Sequence, residues 1–478
     1  MDTSAHHTSA SNPLLISLED EKLFKWLAIG VITIVAFEAT AVTTALPSIS
    51  RALNGDDLFA LSSGIFMALQ LVTIALAGPL SDQKSAIGCF FSGLGIFVLG
   101  LTVCTFAASM WFVVVGRGIQ GLGGGLIIVP LYTLIGRHVR AIHQPSFFAA
   151  FSAAWVVPSL IGPAVTGVII DQLSWRYIFG LTALLLILAL PFLIHVMGKM
   201  PHYASGMRSR GLVVHTVLPA AAAGIALTLF QTAANRGRLT MDSGTLIVGS
   251  LVITGFCTAA MLPRGTFVVR RGIPAIMVMR GFTNGAYIAS EAYLPKMLQD
   301  MHGYSPTSAG FGLTVGSVTW AVGAWIQART TNDRIRSLLP MYGTLTQAIG
   351  VVLVVFGAFQ WCPAWIILLG WGLAGTGIGL SYPTLAVLAL GMTPVEQNGA
   401  TSSALQLADT VGAAFCLGVF GVFYSYAHVG SIGFLMGNVA MCLLIVLAVL
   451  AARRIHPFPD SPEYRRLHAT PIDILNEN

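Results

Sequence analysis

The chain has 478 residues, of which 55% are hydrophobic and only 9% charged, with 25 basic and 19 acidic side chains and a net charge of +6. A soluble protein carries about a quarter charged residues, so this composition excludes a water-soluble globular domain. The basic residues do not form a patch interleaved with stacking aromatics, which excludes a nucleic-acid footprint.

Residues 1–24 are largely polar, with Glu19, Asp20 and Glu21 ahead of the first apolar run and no small-residue cleavage site behind a basic start. They read as a cytoplasmic tail before an uncleaved first span. Apolar runs of about twenty residues, enough to cross about 30 Å of hydrocarbon, then begin near Lys25, Leu58, Ala86, Met110, Ser146, Arg176, Leu212, Gly244, Gly272, Pro306, Ser337, Pro363, Ala400 and Ser431. The fold class predicted is an all-α membrane protein of fourteen transmembrane helices. They sort as 6+2+6: a six-helix bundle over 25–200, a basic linker (Tyr203 to Gly211) with two inserted helices over 201–271, a second bundle over 272–452, and a cytoplasmic tail over 453–478. Two pseudo-symmetric halves around a central site are a common transporter plan. With the N-terminus placed in the cytoplasm, eighteen basic residues fall inside and five outside, and two, Arg117 and Arg280, lie within spans. That asymmetry follows the positive-inside rule and puts both termini in the cytoplasm.

Ionisable groups inside spans are costly and mark functional candidates. Glu38 lies thirteen residues into the first span, about 20 Å deep, where a cavity-facing carboxylate can take up and release a proton; the alternative is a structural carboxyl bonded to a neighbouring helix. The first span is expected to end at Ala45-Leu46-Pro47. In the second span Gln70 is a weaker polar candidate, and Gly78-Pro79-Leu80-Ser81-Asp82 with Lys84 closes that span on the cytoplasmic side. In the fourth span Arg117, Gln120, Gly121, Gly124 and Gly125 fall at helical spacing on one face. Small residues there allow close approach of a neighbour, and the arginine needs a counter-charge. The fifth span holds Pro158, Gly162, Pro163 and Gly167, a kink or packing element. In the ninth, Arg280 and Glu291 share a face about 16 Å apart, with Asn284 and Tyr287 between or beside them; Glu291 otherwise belongs to the outer vestibule, since Pro295, Lys296 and Asp300 follow. Asp409 in the thirteenth is read either as a second coupling carboxylate or as a helix-to-helix hydrogen bonder. Gln231 is weaker still. Trp155, Trp320 and Trp325 line an aromatic cavity or anchor the interface. The six cysteines are scattered through apolar segments, without metal or disulfide spacing. There is no phosphate loop, HExxH or GxSxG motif, which implies an energy source other than ATP.

At these residues the chain resembles the major facilitator superfamily, in its fourteen-helix drug:proton antiporter branch. The Arg117 to Gly125 run is similar to the fourth-helix motif RxxQGxG, and Gly162-Pro163-Ala164-Val165-Thr166-Gly167 to the fifth-helix motif GPxxGG, with Thr166 in place of a glycine. Phe37-Glu38 through Pro47 resembles the first-helix pattern ending in ALP, with Glu38 where aspartate is usual. Trp175-Arg176-Tyr177-Ile178-Phe179 resembles the entry to the sixth helix, and Tyr293 to Gly310 the junction of the ninth and tenth. The resemblance covers roughly Lys25 to Arg453. The loop after the second helix departs from GxLaDrxGrk: Gln83, Ser85, Ala86 and Ile87 stand where its arginine, glycine and basic pair are expected. The charge latch that the resemblance implies there is expected to be weakened, with Lys84 its remaining cation.

The resemblance implies a major facilitator-type fold and no enzyme activity: a monomeric plasma-membrane protein that exports amphipathic or hydrophobic organic molecules against protons, among membrane lipids, with a proton gradient and no cofactor or metal. Its proton-coupling residues would be Glu38, Arg117, Glu291 and Asp409, and its cavity residues Gln70, Gln120, Trp155, Arg280, Asn284, Tyr287 and Trp320. Gly78, Asp82, Lys84, Gly121, Gly125, Gly162, Pro163 and Gly167 would serve gating and packing. Export of a lipid or metabolite, proton symport inward, and a non-transporting receptor are the alternatives.

Overall fold

A computed structural model describes residues 15–55, 58–201, 217–234, 241–304, 306–427 and 430–456. The expected linker Tyr203 to Gly211, the seventh start at Leu212 and most of the C-terminal tail lie outside the described residues. The rest is helical: α1 Leu18–Ala52, α2 Phe59–Leu80, α3 Ala86–Thr105, α4 Met110–His138, α5 Gln144–Gln172, α6 Arg176–Met197, α7 Leu218–Ala234, α8 Met241–Met261, α9 Ile273–His302, α10 Pro306–Arg329, α11 Asp333–Val355, α12 Ala364–Gly391, α13 Asn398–Tyr426 and α14 Gly430–Ala452. Among the described residues, nine helical stretches are long and apolar enough to cross a membrane. One of them, Gly64–Thr105, runs through α2, a π-helical turn at Ser81–Ser85 and α3; its 42 residues reach about 63 Å, twice the hydrocarbon thickness.

The helix starts sit where local chemistry favours them. Ser17 caps α1 by accepting from the Asp20 N–H, and Glu19, Asp20 and Glu21 fill the first turn, where the helix dipole favours anions. So α1 starts seven residues before the expected Lys25, and its acidic turn belongs to the helix rather than to a tail. It also runs past Pro47 to Ala52: an internal proline forfeits one backbone bond, which the flanking helical turns outweigh. Asn332 caps α11, and Gly303, at φ 66°, ends α9 with the Tyr304 N–H bonded back to Leu298 O, the left-handed closure that glycine permits.

Packing repeats. In the first half α1 lies on α5 and α6, α4 on α2 and α3, and α3 on α6; eight helices later α9 lies on α13 and α14, α12 on α10 and α11, and α11 on α14. The halves meet through matched pairs as well, α2 with α13 and α5 with α10. The additional pair α7 and α8 packs together, with α7 against α2 and α13, and Gln231 on α7 donates to Ala414 O on α13 at 3.3 Å. Large apolar side chains such as Trp111, Leu188, Phe256 and Leu443 are exposed, as expected of surfaces bathed by lipid. All six cysteines are unpaired, five of them buried.

Candidate functional site

Two of the buried ion pairs are built from four helices. In the first half, Arg117 Nη1 donates to Glu38 Oε1 at 2.7 Å and to Gln120 Oε1 at 2.8 Å. Its guanidinium lies 4.1 Å from the Phe66 ring centroid on α2. Glu38 and Gln120 have no exposed surface. The pair is charge-assisted and water-poor, a setting where such bonds are strong and breaking one side costs about 3–5 kcal/mol. Glu38 Oε2 and Gln120 Nε2 remain buried without a hydrogen-bond partner among the described residues.

The glycines of α4 place this pair. A Cβ at Gly121 or Gly125 would collide with backbone atoms of Phe66 or Ile74 on α2, and one at Gly123 would lie 2.5 Å from Phe97 N on α3. Gly124 faces the side chain of Gln70. The expected single face is therefore divided: Gly121 and Gly125 seat α2, while Arg117, one turn earlier, reaches past them to α1. Gly162 brings α5 against Thr40 of α1, where a Cβ would lie 2.7 Å from Oγ1, whereas Gly167 faces open space. Position 163 continues α5.

In the second half Arg280 pairs with Asp409 and not with Glu291. Arg280, fully buried, bonds Asp409 with Nε at 2.9 and 3.0 Å to Oδ1 and Oδ2, and with Nη2 at 2.8 Å to Oδ2. Tyr382 Oη on α12 donates to Asp409 Oδ2 at 2.6 Å, and its ring lies 3.8 Å under the Arg280 guanidinium. Tyr132 of α4 approaches the same guanidinium at 5.9 Å, so both halves contribute. Asn284 reaches the Asp409 backbone carbonyl at 3.5 Å. Glu291 is half-buried one helical stretch away, beyond Tyr287. Tyr287 stacks on Trp371 at 4.5 Å and meets Trp320 edge-on at 5.0 Å, and Trp320 stands 6.0 Å from Tyr382. An aromatic wall thus runs from Tyr287 to the ion pair. Trp371, Tyr382 and Tyr132 were not singled out from the sequence, since an aromatic in a span carries no mark of which way it points. Trp155 is 41% exposed on α5, and Trp325 is 54% exposed with Arg329 over its ring, an interfacial placement.

At the far ends of α2 and α13 the turn after α2 is not left to Lys84, which is exposed. Asp82 is ion-paired with Arg137 from the last turn of α4 and accepts from the Gly399 and Ala400 N–H groups at 2.8 and 2.9 Å. Arg137 also bonds Ser81 O and Val395 O. The expected loss of charge is made good by a cation from another helix and by the positive end of α13. Gly78 and Gly399 touch backbone to backbone, each Cβ position lying 2.5 Å from the other's carbonyl oxygen. Among the described residues no group of three or more His, Cys, Asp or Glu side chains stands at metal-binding distance.

Residues 28–416 match the family model described as Major Facilitator Superfamily. A protein of Mycobacterium tuberculosis named as a probable multidrug-efflux transporter is 28% identical over 425 residues, spanning 85% of this chain and 87% of its own. Multidrug resistance protein 3 of Bacillus subtilis is 23% identical over 402 residues, 81% of this chain and 76% of its own. Among solved structures, the human organic anion transporter MFSD10 superposes with a TM-score of 0.66 at 14% identity, covering 90% of this chain and 99% of that one. The proton:xylose symporter XylE superposes with a TM-score of 0.64 at 15% identity, covering 91% and 96%. With its all-helical architecture, its apolar spanning stretches and a family match over most of its length, the chain belongs to the Major Facilitator Superfamily, as a multi-pass membrane transporter.

Proposed function

We propose that the protein exports amphipathic or hydrophobic organic molecules in exchange for protons, by alternating access of two six-helix bundles. In this reading all fourteen helices cross the membrane as 6+2+6, with both termini cytoplasmic. The repeated contacts of α1–α6 among α9–α14 and the basic asymmetry of the loops support it. The multidrug-efflux relatives support the substrate class.

The observation that carries the reading is the Glu38–Arg117 pair with one carboxylate oxygen left unpartnered. Protonation of Glu38 deletes the counter-charge of a buried arginine, so the two protonation states favour different helix arrangements, which is what coupling requires. Gln120 Oε1 and the Phe66 face hold the cation when Glu38 is neutral, which moderates the penalty. A proton moving inward across 100 mV contributes about 2.3 kcal/mol, comparable with the cost of breaking a buried pair, so drive and barrier are of one scale. Asp409, also buried and paired to Arg280, is the second coupling carboxylate, and the wall of Tyr287, Trp320 and Tyr382 lines the substrate path.

The test is flux in proteoliposomes under an imposed pH gradient, with lipophilic cations, neutral drugs and lipids as substrates. Glu38→Gln is expected to abolish gradient-driven accumulation while sparing substrate counterflow. Undiminished gradient-driven flux in that variant rules out Glu38 as the coupling site.

A further inference from the structure

Outside the two ion pairs lies a lateral groove of about 700 Å³ between α8, α9, α13 and α14. Its walls are Leu262, Phe282, Val411 and Leu447, and its floor is the thin seam of Gly281 and Gly412. One rim is basic, formed by Arg453 and Arg454 and by the loop 262–272, which carries Arg264, Arg270 and Arg271. The same loop presents Phe267 and Val268, 61% and 71% exposed.

The loop's shape is imposed by docking. Arg454 Nη1 donates to Val269 O at 3.3 Å, and Gly272 N to Arg454 O at 2.9 Å. Val269 takes φ 50°, a left-handed conformation that a β-branched side chain rarely adopts. Two apolar side chains thus stand exposed beside arginines, at one end of an apolar trough. Among the described residues Arg264, Arg270, Arg453 and Arg454 form no ion pair. The groove opens sideways, where its lining residues Leu447 and Leu450 are exposed, so its occupant arrives from hydrocarbon and brings an anion to the rim. A free anion does not fill the trough, and a neutral apolar molecule does not use the arginines.

We propose that this groove binds an anionic glycerophospholipid from the leaflet on the arginine-rich side, with an acyl chain along Val411 and Leu447 and the phosphate at Arg453 and Arg454. The site rests on the membrane-spanning reading and not on the coupling role of Glu38. Gly281 and Ala408, neighbours of Arg280 and Asp409 in sequence, line the trough, so the lipid tail lies behind the second ion pair.

The test is native mass spectrometry of the full chain in detergent, titrated with phosphatidylglycerol or phosphatidylcholine. The wild type is expected to retain phosphatidylglycerol preferentially. Arg453→Gln/Arg454→Gln should lose about fivefold in that preference for each arginine removed. Leu447→Trp, which fills the trough and leaves the arginines in place, should retain one lipid fewer of either headgroup. An unchanged preference in the double variant, or an unchanged lipid count in Leu447→Trp, overturns the proposal in favour of annular lipid. So does a wild-type chain without preference. Glu38→Gln should bind lipid as the wild type does, so failure of the coupling test leaves this readout standing.

Discussion

Arg280 has no exposed surface, so its charge is tolerable only while Asp409 accepts three of its hydrogen bonds. Asp409→Asn is expected to lower stability by about 3–5 kcal/mol, and Arg280→Met combined with Asp409→Leu to recover most of that, because the penalty is an uncompensated charge rather than a lost contact. Thermal unfolding in detergent of Asp409→Asn and of the double variant measures the difference. Tyr382→Phe is milder, about 1–3 kcal/mol, since the ring under the guanidinium stays. At this scale the sequence was half legible. Glu38, Arg117 and Asp409 were visible because a charge in an apolar run announces itself. The partner of Arg280 was not: Glu291 sits eleven residues along the same helix, whereas Asp409 is 129 residues away, and chain proximity says nothing about which helices meet.

Glycine spacing governs the elements. At Gly121 an added methyl meets the backbone of α2, which has no side chain to rotate away; Gly121→Ala is therefore expected to cost about 1–3 kcal/mol and to reduce the folded yield on size-exclusion chromatography. Gly167→Ala, facing open space on α5, is expected to be neutral or to stabilise by up to about 1 kcal/mol through helix propensity. The motif pattern gave these two glycines the same role, and packing separates them. Most helix starts were readable, because apolar runs of spanning length and capping residues are local signals. Pro47 marks a stop in the sequence, yet the turns on either side carry α1 through to Ala52.

At the scale of the molecule, the two halves meet where α2 packs on α13, the seam that the proposed alternating access would open. Asp82 crosses it by accepting from the Gly399 and Ala400 N–H groups, and Arg137 of α4, ion-paired with Asp82, crosses it by donating to Val395 O. Arg137→Gln removes a charge-assisted bond worth about 1.5–3 kcal/mol, which should raise the separated population about ten- to a hundredfold. Spin labels at the exposed positions Lys84 and Gln397 report it as a second, longer distance; a distribution identical to that of the wild type would show that the seam is held by packing alone. Synthesis delivers the partners of each buried pair at different times. A growing chain presents Arg280 to the membrane well before Asp409 exists, as it presents Glu38 before Arg117, 79 residues later. In the proposed fourteen-span reading α9 carries Arg280 one quarter of the way along its thirty residues, where an arginine costs at most the helix-centre penalty of about 2.5–3.5 kcal/mol, so α9 is expected to insert less well in a single-helix glycosylation reporter than its Arg280→Leu variant. During biogenesis α9 would then wait beside the insertion machinery until α13 emerges and neutralises it.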